Sequence, residues 1–298
     1  MKGALDAATE RWKDFFSVRH YVFALSISII SMMLSAREAR GWPGWKIFFL
    51  VPTGVVLLRI CSVSYEHIVR WRGERLFSSS SCSDNVGVGP TRTGACFFAF
   101  VGAGVFLACS AYANSICLSI AALILVIICF YPRFQRMSDF CTLYPGIIYG
   151  LIPIWSWIAA TGTVGWVPFA LGIISALWIG GLSVLDSIRT LEYDQSHDCR
   201  SLAIRWGSKN VLAFAFLLHL LTVMAMAVFG FFAMLKIAYI VSVGFITLCI
   251  LIEHWIAKIR KKHWLGDAFF RLNLIVSIVY AVAVACEMVF PFFNFSVR

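Results

Sequence analysis

The chain has 298 residues, of which 60% are hydrophobic and only 13% are charged, and its formal net charge is +10. Soluble domains carry about 25% charged residues, so the composition excludes an ordinary soluble domain and predicts an integral membrane protein. The positive charge is spread over short segments between apolar runs. This distribution argues against nucleic acid as a partner and is typical of loops that lie beside anionic membrane lipid.

The apolar runs predict an all-α fold, a polytopic membrane helical bundle of nine transmembrane helices in a single domain, residues 1–298. A spanning helix needs about 20 predominantly apolar residues, and the shorter runs depend on tilt and flanking residues. The second span extends to Val69 if Arg59 is buried within the bundle. The nine predicted spans are Tyr21–Ala36, Ile47–Ser62, Ala95–Ala111, Ser115–Tyr131, Phe140–Thr161, Trp166–Leu185, Val211–Met234, Ile237–Ile256 and Leu272–Phe290.

Lysine and arginine residues concentrate in every second connection between these spans. By the positive-inside rule, that side is cytoplasmic. This predicts a multi-pass protein of an inner or cytoplasmic membrane, with its N-terminus in the cytoplasm and its C-terminus outside. The outer connections are minimal, whereas the cytoplasmic loops 64–94 and 186–210 are long. Because loops often carry the chemistry of a protein, we expect these two loops to cap an active site.

The second span runs into the polar stretch RICSVSYEHIVRWRGER, which begins at Arg59. Glu66, Arg70 and Glu74 fall at i, i+4 and i+8, on one face of a helix. Taken alone, this spacing is typical of an ordinary helix salt bridge. A second acidic helix end on the same side would change that interpretation. The two ends could then face each other across a pocket that holds a diphosphate, bridged by Mg2+ and contacted by arginine.

The connection between the fourth and fifth spans, YPRFQRMSDF, adds two cations at the membrane edge, Arg133 and Arg136. The positive-inside bias explains them without any further role. The alternative is that both contact the diphosphate.

The second acidic helix end is the stretch SVLDSIRTLEYDQSHDCR, which follows the sixth span. If the helix continues past the membrane edge, Asp186, Thr190 and Asp194 share one face, a turn apart. Two carboxylates and a hydroxyl are hard oxygen ligands of the kind that Mg2+ prefers. The competing interpretation is that the acids are solvated or paired with Arg189 and Arg200.

Three segments of the chain resemble the UbiA-type aromatic prenyltransferases. KDFFSVRHYVFALSISIISMML is similar to the opening helix of that family, and YPRFQRMSDFCTLYPGIIYGLIPIWSWIAATG to its fourth loop and fifth helix. LEYDQSHDCRSLAIRWGS resembles the end of its second aspartate motif and the loop that follows. The resemblance implies a nine-helix intramembrane enzyme in which two acidic motifs bind Mg2+ and a polyprenyl diphosphate.

The resemblance also implies residue roles. Asp186 and Asp194 correspond to metal ligands of the second motif, with Asp198 as a possible helper. Arg136 corresponds to a diphosphate contact, and Arg59 stands at the head of the first motif. Aromatic rings near such a site, among them those of Tyr65, Tyr149 and Tyr193, could stabilise a carbocation or simply anchor the protein at the membrane interface. His67 could contact the acceptor carboxylate, take a proton, or be a plain interface histidine.

The first motif departs from the family pattern, which usually has Asn, Asp and Asp. Here those positions are Glu66, Arg70 and Glu74. Glutamate reaches about one methylene further than aspartate, so both glutamates could still bind metal. Arg70 could replace one metal ion by contacting phosphate directly, or it could weaken the site. In the second motif, the first acid of the related pattern would fall near Ser183.

The function that the resemblance implies is transfer of a polyprenyl group to an aromatic acid, most simply 4-hydroxybenzoate, in membrane quinone synthesis. A dihydroxynaphthoate, as in menaquinone synthesis, is the close alternative acceptor. A catalytically weakened relative or a transporter is the alternative from another class. Transporters place charge near the midplane on broken helices, whereas here the acids crowd one face. The dense acidic motif of CDP-alcohol phosphotransferases is missing from the sequence, and nothing in it indicates an oligomeric state.

Overall fold

Nine long helices and one short 3-10 helix, Asp139–Leu143, make up the computed structural model, with no strand in its described part. It describes residues 19–38, 41–71, 92–189, 191, 195, 200–259 and 265–289. The helices are α1 (Arg19–Glu38), α2 (Trp45–Trp71), α3 (Arg92–Ala113), α4 (Ser115–Met137), α5 (Tyr144–Thr161), α6 (Trp166–Arg189), α7 (Leu202–Phe232), α8 (Ile237–Ile259) and α9 (Leu265–Val289). The predicted all-α bundle of nine helices is confirmed.

The helices have the length and surface that a membrane requires. Among the described residues, eight apolar helical stretches are long enough to cross a bilayer, and α9 adds the shorter apolar stretch Leu272–Met288. Large apolar side chains point outwards, for example Phe100 and Phe231, each 79% exposed. Such a surface is unfavourable in water but matches lipid tails. The protein is therefore an integral, multi-pass membrane protein.

The helices pack as a closed bundle. α1 contacts α2, α5 and α6, and α9 packs against α1, so the first and last helices meet. Fully buried aromatic rings fill the interior, and their polar atoms are paired where geometry allows. Trp155 Nε1, for example, donates to Ser110 Oγ at 3.0 Å. The tyrosine hydroxyls of Tyr239 and Tyr280 lie 3.3 Å apart.

Small residues let α5 and α6 approach closely. A Cβ added at Gly150 would lie 2.9 Å from the Gly172 carbonyl oxygen, and one added at Gly172 would lie 2.7 Å from the Gly150 carbonyl oxygen. Neither position has room for a side chain. Close approach through small residues is a common way to associate helices in membranes, where the hydrophobic effect does not drive association.

One end of the bundle gathers the polar chemistry, and we call it the Arg189 end because α6 ends there. Tyr144 at the start of α5 donates from its hydroxyl to the Ile127 carbonyl in the middle of α4, at 2.6 Å. Ile188 of α6 packs in one cluster with Leu202 at the start of α7, and Ala257 near the end of α8 lies against that cluster.

The helices extend into both predicted loops. α2 continues to Trp71, so residues 64–71 of the predicted loop 64–94 are helical, and α3 already begins at Arg92. The extension is stabilised by packing, because Val69 forms a buried cluster with Tyr131 and Tyr144. In the predicted loop 186–210, α6 continues to Arg189 and α7 begins at Leu202.

The first residues of α7 form a separate helical segment. Ser201 caps it by accepting a hydrogen bond from the Ile204 amide. At Gly207 the helix is interrupted, because this residue has φ +76° and ψ 156°. That combination is essentially restricted to glycine.

Candidate functional site

The end of α6 carries a buried ion pair. Arg189 Nε donates to Asp186 Oδ1 at 2.8 Å, and both side chains are less than one-fifth exposed. The bond uses one carboxylate oxygen, so Oδ2 remains as a possible ligand atom. Arg189 Nη2 is buried and has no partner in the described part of the chain. The alternative interpretation of the sequence, in which Asp186 pairs with Arg189, is therefore correct for this contact. The contact still leaves Arg189 Nη2 without a described partner.

A second guanidinium, partly buried, lies on α2. Arg59 Nη1 makes only a long hydrogen bond to Ser62 Oγ, at 3.5 Å, and Arg59 Nε is buried without a partner among the described residues. The hydroxyl of Tyr21, from the start of α1, interacts electrostatically with Arg59 on α2 and with Tyr149 on α5, and it is buried and unpaired within the described ranges.

The next turn of α2 carries the predicted residues Tyr65, Glu66 and His67, all of them half-buried. Tyr65 donates from its hydroxyl to the Cys129 carbonyl on α4, at 3.1 Å. This hydrogen bond fixes the ring between α2 and α4. Glu66 is the next residue of the same helix and is half-buried.

The connection between α4 and α5 makes contacts with the chain that leads into α7. Arg133 is exposed. Asp139 Oδ2 accepts from Arg205 Nη1 at 2.7 Å, and the Met137 carbonyl accepts from Arg200 Nη1 at 3.0 Å. The Leu202 amide also donates to Thr142 Oγ1 at 3.4 Å. The connection therefore anchors the chain that leads into α7.

Several predicted site residues lie outside what the structure describes. For Arg70 and Arg136 the helical backbone is described and the side chain is not. The others lie entirely outside the described residues and stay predictions: Glu74, Thr190, Tyr193, Asp194 and Asp198. The backbone of Leu191 and Gln195 is helical, and the predicted shared face of Asp186, Thr190 and Asp194 stays a prediction.

The unpaired buried donors indicate what the site can bind. A buried polar group without a partner is costly, and a buried unpaired charge is more so. Two guanidinium groups with free N–H donors at one end of the bundle are suited to an anion, and arginine matches phosphate oxygens in particular. Carboxylates on the same two helices, Glu66 and Asp186, supply the oxygen ligands that suit Mg2+. The residues present thus fit a metal-bridged phosphate group.

Four side chains of this end were missed or undervalued from sequence. The hydroxyls of Tyr21 and Ser64, the side-chain oxygen of Gln135 and Nη2 of Arg189 are buried without partners in the described residues. Tyr21 and Ser64 lie in apolar runs, where polar residues face the bundle interior or a cavity. That general rule is the signal that could have found them.

The fold is that of solved UbiA homologues. A UbiA homologue from Aeropyrum pernix K1, solved without ligand, superposes with a TM-score of 0.77 at 23% identity, covering 91% of this chain and 98% of that one. A UbiA homologue from Archaeoglobus fulgidus, solved with DMAPP and Mg2+, gives 0.69 at 15% identity, covering 93% and 99%. A digeranylgeranylglyceryl phosphate synthase gives 0.64 at 17% identity, covering 94% and 99%.

A comparison of the sequence with models of protein families identifies the family. No curated protein matches the chain. The model of the UbiA prenyltransferase family matches residues 89–275, which is more than half of the chain. The matched range contains Asp186 and Arg189, while Arg59 and Glu66 lie before it. On this match, and with a fold that agrees over nearly its whole length, the chain belongs to the UbiA prenyltransferase family.

Proposed function

We propose that this protein is a Mg2+-dependent prenyltransferase, an enzyme that transfers alkyl or aryl groups other than methyl. It moves a polyprenyl group from polyprenyl diphosphate to an aromatic acid, 4-hydroxybenzoate, in the synthesis of membrane quinones. The observation that carries the proposal is that two partly buried guanidinium groups, Arg59 and Arg189, each have a buried N–H donor without a described partner, and that Arg189 lies beside the Asp186 carboxylate. The Archaeoglobus homologues bound to DMAPP or GPP together with Mg2+ support it.

The arginines bind the leaving group. Arg59 Nε and Arg189 Nη2 donate to diphosphate oxygens, and Arg70, Arg133 and Arg136 add positive charge at the same end. Donors that are already buried and oriented need no reorganisation when charge develops on the leaving oxygen. Asp186 keeps the guanidinium of Arg189 in place through the Nε–Oδ1 bond.

The carboxylates hold the metal. Mg2+ held at these residues would neutralise negative charge on the diphosphate and so make it a better leaving group. Glu66 and Asp186 offer described carboxylates for this role. The remaining proposed ligands are Glu74, Thr190, Asp194 and Asp198. Arg70 takes the place that an aspartate usually has in the family, where it contacts phosphate directly.

The reaction exchanges a C–O bond for a C–C bond. The allylic C–O bond breaks and its electron pair leaves with diphosphate. A ring carbon of the phenolic acceptor bonds to the allylic carbon, and the ring then loses a proton to a basic group at the site. The ring faces of Tyr65 and Tyr193 stabilise the cationic centre, and the bundle excludes water from it. His67 contacts the acceptor carboxylate or takes the proton.

The position of the protein in the membrane determines where the two ends of polyprenyl diphosphate lie. The polyprenyl tail lies in lipid along the apolar helices, and its diphosphate lies at the Arg189 end. We assign this end to the cytoplasmic side, because the basic connections are there. The N-terminus is then cytoplasmic and the C-terminus outside.

The test is prenyl transfer by the purified full chain in nanodiscs. The reaction receives a polyprenyl diphosphate and either 4-hydroxybenzoate or a dihydroxynaphthoate, with Mg2+ or with excess chelator. Asp194→Ala and Arg59→Gln are compared with Arg37→Gln. Arg37 is a matched control, since it contacts the Ala233 carbonyl at the opposite end of the bundle.

We expect a Mg2+-dependent product with 4-hydroxybenzoate that the Arg37 variant still forms and the other two lose. Product with the dihydroxynaphthoate alone would move the acceptor to the menaquinone type. Product with neither ring, from folded protein that also fails to bind polyprenyl diphosphate, would reject the enzyme and favour a weakened relative or a transporter-like protein.

A further inference from the structure

Three potential metal ligands meet inside the bundle on two helices, α7 and α8, that carry none of the proposed Mg2+ ligands. They are His219 on α7 and the neighbouring residues Glu253 and His254 on α8, and one ligand atom from each lies within 4.8 Å of the others. All three are buried: His219 is 0% exposed, Glu253 2% and His254 9%. Ionisable residues are expensive inside a membrane and are usually retained there for a function.

The imidazole of His219 is buried, and its ring nitrogens have no described hydrogen-bond partner. Neither ring nitrogen has a hydrogen-bond partner in the described part of the molecule, although the backbone of Trp178 approaches the ring. The ring fills the space over Gly181 on α6, where a Cβ would overlap it. Gly181 lies about 12 Å along α6 from Arg189, at 1.5 Å per residue. The imidazole is thus fixed in position, and its unprotonated nitrogen is available as one metal-ligand atom.

The second histidine is oriented for metal binding. His254 Nδ1 lies 3.0 Å from the Ile250 carbonyl one turn earlier. A carbonyl only accepts, so Nδ1 carries the proton and Nε2 has the lone pair. Nε2 is buried and has no partner among the described residues. A backbone carbonyl that fixes the tautomer in this way is the usual outer partner of a metal-binding histidine.

The carboxylate is held by a neutral network. Asn273 Nδ2 on α9 donates to Glu253 Oε1 at 2.9 Å, and Trp178 Nε1 on α6 donates to Asn273 Oδ1, also at 2.9 Å. Within the described ranges no lysine or arginine pairs with Glu253. Nothing described there balances the charge of an ionised Glu253, and a bound cation would.

We propose that His219, Glu253 and His254 bind a divalent transition-metal ion of the Zn2+ class. Two imidazole nitrogens and one carboxylate oxygen suit Zn2+, while Mg2+ prefers oxygen alone. Zinc bonds of about 2.0–2.1 Å in a tetrahedron place ligand atoms about 3.3 Å apart, so side-chain adjustments of about an ångström complete the site. The three ligands leave a fourth position open.

The metal joins α7 to α8, with Asn273 of α9 and Trp178 of α6 as outer supports. The site is separate from the Mg2+ site at the Arg189 end in position and in ligand type. Its existence does not depend on the proposed prenyl transfer. A chain inactive with every acceptor would still bind the metal here.

The first measurement is the metal content of the full chain. Protein purified in detergent is stripped with a chelator, loaded with Zn2+ in the presence of excess Mg2+, desalted and measured by mass spectrometry of the elements. We expect about one zinc per chain, as for a single three-ligand site. The stripped protein is also titrated with Co2+, whose visible absorption reports a low-symmetry site with nitrogen ligands.

Variants identify the ligands. We expect His219→Gln, His254→Gln and Glu253→Gln to lose the zinc and the Co2+ bands. Asn273→Leu keeps the ligands and removes an outer partner, so its metal affinity should fall about 10- to 100-fold. Glu287→Gln is the matched control, because Glu287 is a half-buried carboxylate of α9 that accepts from the Ala238 amide at 2.9 Å, outside the cluster.

For variants that express poorly, the effect of zinc on the unfolding temperature is a second measurement. Zinc should raise the unfolding temperature of the stripped wild type and of Glu287→Gln, since a ligand that binds only the folded state stabilises it. Folded wild-type protein that takes up neither zinc nor cobalt overturns the proposal. Equal zinc binding by wild type and all three ligand variants overturns it as well.

Discussion

Arg189 Nε donates to Asp186 Oδ1 at 2.8 Å, one turn apart at the end of α6, while Nη2 of the same guanidinium has no described partner. The pair therefore places a potential cation-binding group and a potential anion-binding group side by side. Its carboxylate can bind a cation, and its guanidinium can bind an anion. Each of the two side chains orients the other before any substrate arrives.

The first prediction concerns this pair. In Asp186→Asn the Oδ1 acceptor persists and the charge is lost, so we expect kcat for prenyl transfer to fall about 100-fold or more, as when one preorganised electrostatic contact is removed. The Mg2+ concentration needed for half-maximal rate should rise as well. Steady-state assays over a Mg2+ titration measure both. An unchanged Mg2+ requirement would remove Asp186 from the metal ligands.

The second prediction concerns Arg59. Arg59→Gln removes a buried charged donor, and hydrogen bonds to charged groups contribute about 1.5–3 kcal/mol. We expect the Kd for a non-reacting prenyl thiolodiphosphate to rise about 10- to 100-fold, which is the same free energy expressed as affinity. Binding in nanodiscs measures it. Arg37→Gln should bind like wild type, and equal weakening by both variants would argue against direct contact.

The third prediction concerns the tie between Asp139 and Arg205. Arg205 is 64% exposed, and exposed ion pairs typically contribute about 0.2–1 kcal/mol. A double-mutant cycle with Asp139→Asn and Arg205→Gln should give a coupling free energy in that range, smaller at high salt. Reversible unfolding in mixed detergent measures the cycle. A salt-independent coupling of several kcal/mol would show that the pair is part of the core instead.

The fourth prediction concerns the crossing of α5 and α6. Gly172→Ala places a methyl against the Gly150 carbonyl, and overpacking of this kind costs about 1–3 kcal/mol. Gly104→Ala is the matched control, because nothing lies within 4 Å of a Cβ at that position. Thermal unfolding should separate the two variants. Equal unfolding temperatures for the two variants would mean that α5 and α6 can move apart to accept the methyl group without loss of stability.

The fifth prediction concerns Gly181 and His219. Gly181→Ala should destabilise the protein, because its methyl would overlap the imidazole ring. The double variant Gly181→Ala/His219→Ala should recover part of that loss, since contacting residues show interaction free energies of about 0.5–3 kcal/mol. Thermal unfolding of the metal-stripped forms measures the cycle. Additive effects would contradict the contact.

The helices could be predicted from sequence because long apolar runs need only length and composition. Their ends were harder. α2 was predicted as Ile47–Ser62 with an extension to Val69, and the extension is correct, since α2 ends at Trp71. α7 starts at Leu202 instead of Val211. Its first turns are amphipathic and are held by tertiary contacts, which a hydrophobicity pattern does not register.

The site could be predicted only in part. The acidic helix ends were found because several acids follow apolar runs at helical spacing. Tyr21 and the His219, Glu253 and His254 cluster were not found. Those polar residues stand in separate helices, and only the rotation and packing of the helices brings them together. No spacing along the chain encodes that rotation.

The break at Gly207 has a mechanical consequence. The segment Leu202–Trp206 is bonded to the α4–α5 connection through Thr142 and Asp139, and its own helix turns away at Gly207. The segment is therefore held from two sides, because Leu202 also packs in one buried cluster with Ile188 of α6. The backbone at Gly207 turns the chain from this docked segment into the rest of α7, with a φ and ψ that only glycine adopts readily. The direction in which α7 leaves the docked segment thus depends on a single residue without a side chain.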